Sequence, residues 1–417
     1  MTKRLEAAAS YKDTSLFMAL FKEYEIPLRL LENHPSVFYA EHSTGAAFNL
    51  LLWSHRGTHP DYTHQWYALA MRLLTLQLYR ETYGSLPINI QWIIDTRHRY
   101  PDSSITSPLH IMEHNHLFLQ VDGCICDLAN PSSFPALALG TKGLLRVSLE
   151  PDLKQANAPA IYGSVLPDAA WRLAWCLNSL KDAREELLID GFYDTLTPPE
   201  DDEIALLADA PLVEQAFQQD GHIPLLGLQG LQARYAAQFL PTCTITSLST
   251  GIQKSVLATL DKEHQAQEPH TIPTKAQASL DFYLVPDQQP EDIFLKVRQH
   301  VSTHGFQDIQ VQLLASTPSV HTSLRHAFIQ MIHAAATVVR DDKHFSTKAL
   351  TLIPFATEHI FPNPLSNIPV MAIIFNQFGT IGRNDASDLR TQAIQLAHIA
   401  HFSVLLEELQ HATGTTR

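Results

Sequence analysis

The sequence is poor in cysteine: Cys124, Cys126, Cys176 and Cys243 are the only four in 417 residues. That density excludes a disulfide-stapled scaffold and fits a reducing compartment. Cys124-Ile-Cys126 has one intervening residue rather than two, so it makes a poor zinc-knuckle pair. Period-2 geometry instead points both thiols to one face of a strand, into the core. Positive charge is also scarce. Lysine and arginine total 29 against 43 acidic residues, a net charge of −14, and no basic run exceeds a few residues. Nucleic acid and anionic membrane surfaces need clustered cations and are excluded as main partners. Long apolar runs are missing as well: no stretch approaches the roughly 18 residues that a membrane span needs. The N-terminal MTKRLEAAASYKDTSLF lacks the apolar segment and cleavage pattern of a secretory signal. The expectation is a cytoplasmic protein. No internal repeat or low-complexity tract is present.

What remains is a chain with 45% apolar and 17% charged residues, long enough for two or three domains. A helix is predicted near Ser15–Tyr24 and a strand at Ser36–Ala40. Phe48–His55 is an almost continuous apolar run, as in a strand buried on both faces of an α/β sheet. A long amphipathic helix follows over Tyr62–Glu81, with Trp66, Leu69, Leu73 and Leu74 on one face, stopped at Tyr83-Gly84. Leu86–Ile94 is the next strand, so strand, helix and strand form a parallel crossover. Leu117–Val121 and Cys124–Leu128 extend the sheet. From Lys142-Gly143 the texture changes: Leu144–Leu149 alternates like a half-exposed antiparallel strand. After it come a helix at Asp168–Lys181, an acidic linker-like stretch Thr197–Glu203, strands at Thr242–Leu248 and Lys275–Val285, a helix at Pro290–Thr303 and a strand at Ile309–Leu314. The doubly wound texture returns with a helix at Leu324–Val339, a strand at Pro369–Phe375 and a helix at Asp388–His411. An α/β unit is thus interrupted by an α+β unit.

Four segments make the reading more specific. These are Lys142-Gly-Leu-Leu-Arg-Val-Ser-Leu-Glu150, Ile161-Tyr-Gly-Ser-Val-Leu-Pro-Asp-Ala-Ala-Trp171, Ile189-Asp-Gly-Phe-Tyr-Asp194 and Ile272–Gln288. In order and spacing they resemble the zinc-dependent carnosine dipeptidase, aminoacylase and succinyl-diaminopimelate desuccinylase family of metallopeptidases, from about Leu30 to Leu409. The resemblance implies a doubly wound, mostly parallel α/β sheet interrupted by an inserted α+β lid or dimerisation domain. On that reading, residues 1–142 and 321–417 form the peptidase-like domain and 143–320 the lid. It also implies two zinc ions that activate a water, a glutamate as general base and a homodimer formed through the lid.

Carried over residue by residue, the family pattern is broken in this chain. His55 falls on the first histidine ligand, but Gly57 stands where an aspartate should orient it. The bridging aspartate becomes Pro60, or Asp61 after a slip of one. A rival register reads His59-Pro-Asp61 as the histidine–x–aspartate motif itself. His98 takes the general-base position and Arg99 a ligand position. A guanidinium donates hydrogen bonds only and repels a dication. Asp127 keeps the next carboxylate ligand. Tyr283 replaces the lid arginine, Arg383 the C-terminal histidine, and Ser387 the glutamate. Two inherited ligands and a third possible one fall short of a two-zinc site, leaving no metal or one weakly held zinc. Arg99 and Arg383 are candidates to fill the vacated space by ion-pairing with Asp127. His59, His64 and His98 offer the alternative of a rebuilt metal site.

Three functions compete on this reading. The first is a catalytically degenerate homologue acting as a binding or partner protein, pairing with itself or with an active relative. The second is an active dipeptidase or N-acyl-amino-acid hydrolase with a rearranged site. The third is a metal-free binder of a small carboxylate ligand, with Arg97, Arg99 and Arg383 lining the cleft.

Overall fold

In the computed structural model, the described residues are 14–32, 34–55, 63–96, 120–130, 136–153, 158–208, 210, 226–250, 271–341, 351–355, 369–376 and 389–414. The chain begins with α1 (Thr14–Glu23), β1 (Leu28–Leu31), β2 (His34–His42), β3 (Asn49–His55), α2 (Thr63–Tyr83) and β4 (Asn89–Asp95). It continues through β5 (Gly123–Asn130), β6 (Ala136–Ala138), β7 (Gly140–Thr141), β8 (Gly143–Pro151), β9 (Ala158–Pro159), α3 (Ala169–Leu180), α4 (Asp201–Leu206) and α5 (Gly230–Phe239). Then follow β10 (Thr242–Ser249), β11 (Thr271–Ile272), β12 (Gln277–Leu284), α6 (Pro290–Thr303), β13 (Ile309–Thr317) and β14 (Val320–His321). The last elements are α7 (Ala327–Asp341), β15 (Thr351–Ile353), β16 (Val370–Asn376) and α8 (Leu389–Gly414).

These elements divide into two compact units. The first holds 1–142, 198–240 and 320–417; the second holds 143–197 and 241–319. Residues 198–240 therefore depart from the single 143–320 insertion drawn from the sequence. Their reason for returning is apolar. Leu207 and Phe239 bury against Phe355, and the Phe355 backbone N–H donates to Gln238 Oε1 at 2.7 Å.

The first unit is built on an eight-stranded sheet in the order β1-β2-β4-β3-β5-β16-β6-β15. Its centre is parallel: β4, β3, β5 and β16 pair in one direction, while β1, β2 and the β6–β16 pairing run antiparallel. The crossover β3–α2–β4 stands as the apolar runs predict. Gly84 ends α2 at φ +85°, its N–H donating to the Arg80 carbonyl, a left-handed helix cap that glycine adopts without strain. One sheet face carries Leu50, Leu52, Trp92, Ile94 and Ile125. It packs on α1 through Phe21, on α2 through Leu69, Leu73 and Leu76, and on α7 and α8 through Phe328, Ile332, Phe402 and Leu405. Leu74 is exposed rather than part of that stripe; it lies one residue beyond Leu73 and turns to solvent. The Trp66 side chain lies outside the described set. The opposite face buries Leu51, Trp53, Ile93, Cys124 and Cys126, so both strand thiols face one core, as their spacing predicts. The segment Leu117–Val121 shows no strand at residues 120 and 121, and 117–119 lie outside the described residues.

The second unit is a four-stranded antiparallel sheet, β10-β12-β8-β13, with α3 and α6 packed on the face bearing Leu145, Val147, Leu280 and Phe282. The helix α3 starts at Asp168, whose carboxylate accepts from the Ala170 and Trp171 N–H groups. Pro290 opens α6, with Glu291 and Asp292 in its first turn, where proline and acidic residues favour helix initiation. The half-exposed strand read at Leu144–Leu149 is instead nearly buried throughout. It lies between β12 and β13, and its polar side chains are absorbed by neighbours. Arg146 donates to both Asp281 carboxylate oxygens at 2.6 Å, and Ser148 and Glu150 accept from Gln277. No described helix is long and apolar enough to cross a membrane.

Candidate functional site

Open parallel sheets place their sites beyond the carboxyl ends of the strands. Here His55 and Asp95 end β3 and β4, and Asp127, three residues before the end of β5, stands level with Ser54 by register. His55 pairs with Asp95, and Ser54 with both Ile94 and Asp127. The other candidates from the sequence are Asp61, Arg97, His98, Arg99 and Arg383, with His59, Pro60 and Ser387. All of these lie outside the described residues, as does the His55 side chain. Among the candidates from the sequence, Asp127 alone is described to the level of its contacts.

Asp127 is buried, and its surroundings differ from those of a ligand waiting for a cation. By alternation it shares a face with Ile125, toward the helices. Its Oδ1 accepts from Arg72 Nη2 at 2.9 Å and Arg72 Nε at 3.3 Å. Its Oδ2 accepts from Ser54 Oγ at 3.0 Å. Ser54 Oγ in turn accepts from Trp92 Nε1 at 3.0 Å. Arg72 and Asp127 side chains are each 4% exposed, and the guanidinium carbon lies 4.2 Å from the centroid of the Phe402 ring. Both carboxylate oxygens are thus engaged, with a delocalised cation held against an aromatic face.

Arg72 was not among the residues singled out from the sequence. A signal for it exists. It sits three residues after Leu69 and four before Leu76, on the stripe of α2 that faces the core, so it is a charge at an apolar helical position. Such a residue needs an anion, and the helix lies over β5. Among the described residues Arg72 pairs with Asp127; Arg99 and Arg383, the partners expected from the sequence, lie outside them.

Three other features concern single residues. His401, next to Phe402 on α8, is buried with Nε2 3.1 Å from the Ile332 carbonyl; burial lowers its pKa to about 4, and Arg72 adds to the effect. The thiols of Cys124 and Cys126 are pushed up by burial, which keeps them as neutral core groups rather than metal-binding thiolates. Tyr283, at the lid-arginine position, pairs in register with Leu144 and Thr242; burial and then Asp281 raise its phenol to about 12.

The resemblance seen in the sequence implies a metal centre, so the donors matter. Among the described residues there is no group of three or more histidine, cysteine, aspartate or glutamate side chains placed to hold an ion. Asp127, the inherited carboxylate within reach of description, has its acceptor sites taken by Arg72 and Ser54.

No protein-family model and no curated protein matches the chain. Solved structures do. The M20 family metallo-carboxypeptidase Sso-CP2 from Sulfolobus solfataricus superposes with a TM-score of 0.73 at 21% identity, covering 96% of each chain. The di-peptidase Dug1p from Saccharomyces cerevisiae gives 0.72 at 15% identity, over 98% of this chain and 95% of that one. Human carnosine dipeptidase 1 gives 0.70 at 15%, over 95% and 89%. The chain has the fold of these metallopeptidases, along nearly its whole length.

Proposed function

We propose that this chain is a catalytically degenerate homologue of metal-dependent dipeptidases and amidohydrolases that acts as a binding or partner protein. The observation carrying this reading is the Arg72–Asp127 pair. A zinc ion recruited to Asp127 has to displace the guanidinium. That displacement breaks a carboxylate–guanidinium contact between side chains each 4% exposed, at a cost of several kcal/mol before any ligand bond forms. The positions that resemble metal ligands in the sequence support the same reading, since Arg99 and Arg383 stand where neutral or anionic donors belong.

The test is metal content together with activity. After purification in excess zinc and desalting, elemental analysis is expected to give well under one equivalent per chain. A hydrolysis screen on dipeptides and N-acyl amino acids is expected to show no turnover that His55→Ala abolishes. Two tightly held zinc ions per chain, or a hydrolysis lost in His55→Ala, returns the active hydrolase to first place.

A further inference from the structure

The described lysines are Lys22, Lys142, Lys181, Lys275 and Lys296, and Lys142 differs from the rest in how its ammonium is held. Lys22 and Lys275 are exposed. Lys181 and Lys296 are ion-paired with Glu185 and Asp292. Lys142, the last residue of the first unit before the chain enters the second, is partly buried. Among the described residues its Nζ has one partner, the Leu240 carbonyl at 2.6 Å. Leu240 is the C-cap of α5, and the negative end of a helix attracts a cation. The carbonyl is nevertheless neutral, and an ammonium has three donors to satisfy. No carboxylate among the described residues shares the site. Leu240 is 44% exposed, so the pair borders solvent and a small reagent can reach the nitrogen.

An ammonium drawn out of water without an anion gives up its proton more readily, and burial lowers the Lys142 pKa to about 8. Near pH 7.5 about a quarter of the side chain is then free amine, against about one part in a thousand for an ordinary lysine. The free amine is the nucleophile. Part of that roughly 200-fold advantage is lost, because a weaker base attacks more slowly; about tenfold remains. Acylation also suits the surroundings. It removes the charge that lacks an anion, and the amide it forms keeps one N–H to donate to the Leu240 carbonyl. An acyl group carrying its own carboxylate would merely exchange one unpaired charge for another.

We propose that Lys142 is an acylation site that takes a small neutral acyl group, such as acetyl, from an acyl thioester. The Nζ lone pair attacks the thioester carbonyl and the N–C bond forms. The C–S bond breaks with its electron pair on sulfur, and the proton shed by nitrogen passes to the thiolate. The modification goes beyond the partner role proposed above and uses none of the residues on which that role rests.

The experiment incubates the full chain with acetyl-coenzyme A between about pH 6.5 and 9.5, and peptide mass spectrometry follows each lysine. At pH 7.5 Lys142 is expected to react about tenfold faster than Lys181 and Lys296. Its rate should level off above about pH 8, whereas an ordinary lysine keeps gaining about tenfold per pH unit. In the urea-unfolded chain the preference should vanish. With succinyl-coenzyme A, modification of Lys142 relative to Lys22 is expected to fall at least about tenfold. The acetylated protein should keep the Tm of the unmodified one. Lys142 reacting no faster than the paired lysines, a rate without a plateau, a preference that survives unfolding, or a Tm lowered by acetylation overturns the proposal.

Discussion

At the scale of single residues, Arg72 and Asp127 are one device. Each is costly to bury alone and tolerable in the other's company. Arg72→Met is expected to destabilise the fold by roughly 3–5 kcal/mol, because it strands a buried carboxylate. The double substitution Arg72→Met, Asp127→Leu is expected to recover most of that loss, since a packed apolar pair often equals or exceeds a buried ion pair. Urea denaturation of the three proteins measures both. Equal losses in the single and the double variant would mean that the site depends on the volume of Arg72 rather than on its charge. His401 gives a pH dependence. Its folded pKa of about 4 lies below the unfolded value of about 6.5, so the unfolded chain takes up a proton that the folded chain refuses. The stabilisation is complete above pH 6.5 and is lost as pH falls toward 4, by at most about 3 kcal/mol. Between pH 7 and pH 4.5, His401→Gln should lose roughly 2 kcal/mol less than the wild type. His300 has a pKa lowered by burial and by the stacked His304 ring; it acts in the same direction, so the variant keeps a residual slope.

At the scale of elements, Gly140 marks a place where two backbones meet too closely for a side chain. A Cβ there would lie 1.9 Å from the Val320 carbonyl oxygen, across the β7–β14 pair. Gly140→Ala is expected to force the strands apart and cost at least about 2 kcal/mol, visible as a lowered Tm. Asp168→Ala, which removes the cap of α3, is expected to cost about 1 kcal/mol. These elements also show what could be read from the sequence. β3, β4 and β16 were legible because strands buried on both faces need unbroken apolar runs, and α6 because proline and two acids announce its start. The burial of β8 was not legible: Arg146, Ser148 and Glu150 alternate like solvent-facing residues, and only cross-strand partners far along the chain, Asp281 and Gln277, make them interior. Asp127 was placed by its motif, with Arg99 and Arg383, which lie outside the described residues, as its expected ion-pair partners. Those arginines drew attention by standing at ligand positions, whereas Arg72 hides in an ordinary helix until that helix is laid over β5.

At the scale of the whole molecule, the chain crosses between its two units more often than a single insertion requires. Residues 198–240 leave the second unit after Thr197 and re-enter it at Pro241. While away they are fastened to the first unit by several kinds of contact. Glu203 Oε1 lies 2.8 Å from His321 Nε2. Arg325 reaches Asp202 and Glu200, while within the segment itself Arg234 donates to the Leu207 and Ala208 carbonyls. Phe239 meets Phe355 edge to face at 6.0 Å. The exposed ionic contacts are each worth little, so the aromatic cluster is the main anchor. Phe239→Ala is expected to cost about 3 kcal/mol, and the loss should appear in the unit to which the segment is anchored rather than in the unit next to it in sequence. Hydrogen exchange tests this directly. In Phe239→Ala, amides of α5 and of β15, which pairs with β6 in the large sheet, should exchange faster. Amides of β12 and β8 should keep their wild-type protection, although β10 begins only three residues after the substitution. Faster exchange confined to the four-stranded sheet would instead assign the segment to the second unit.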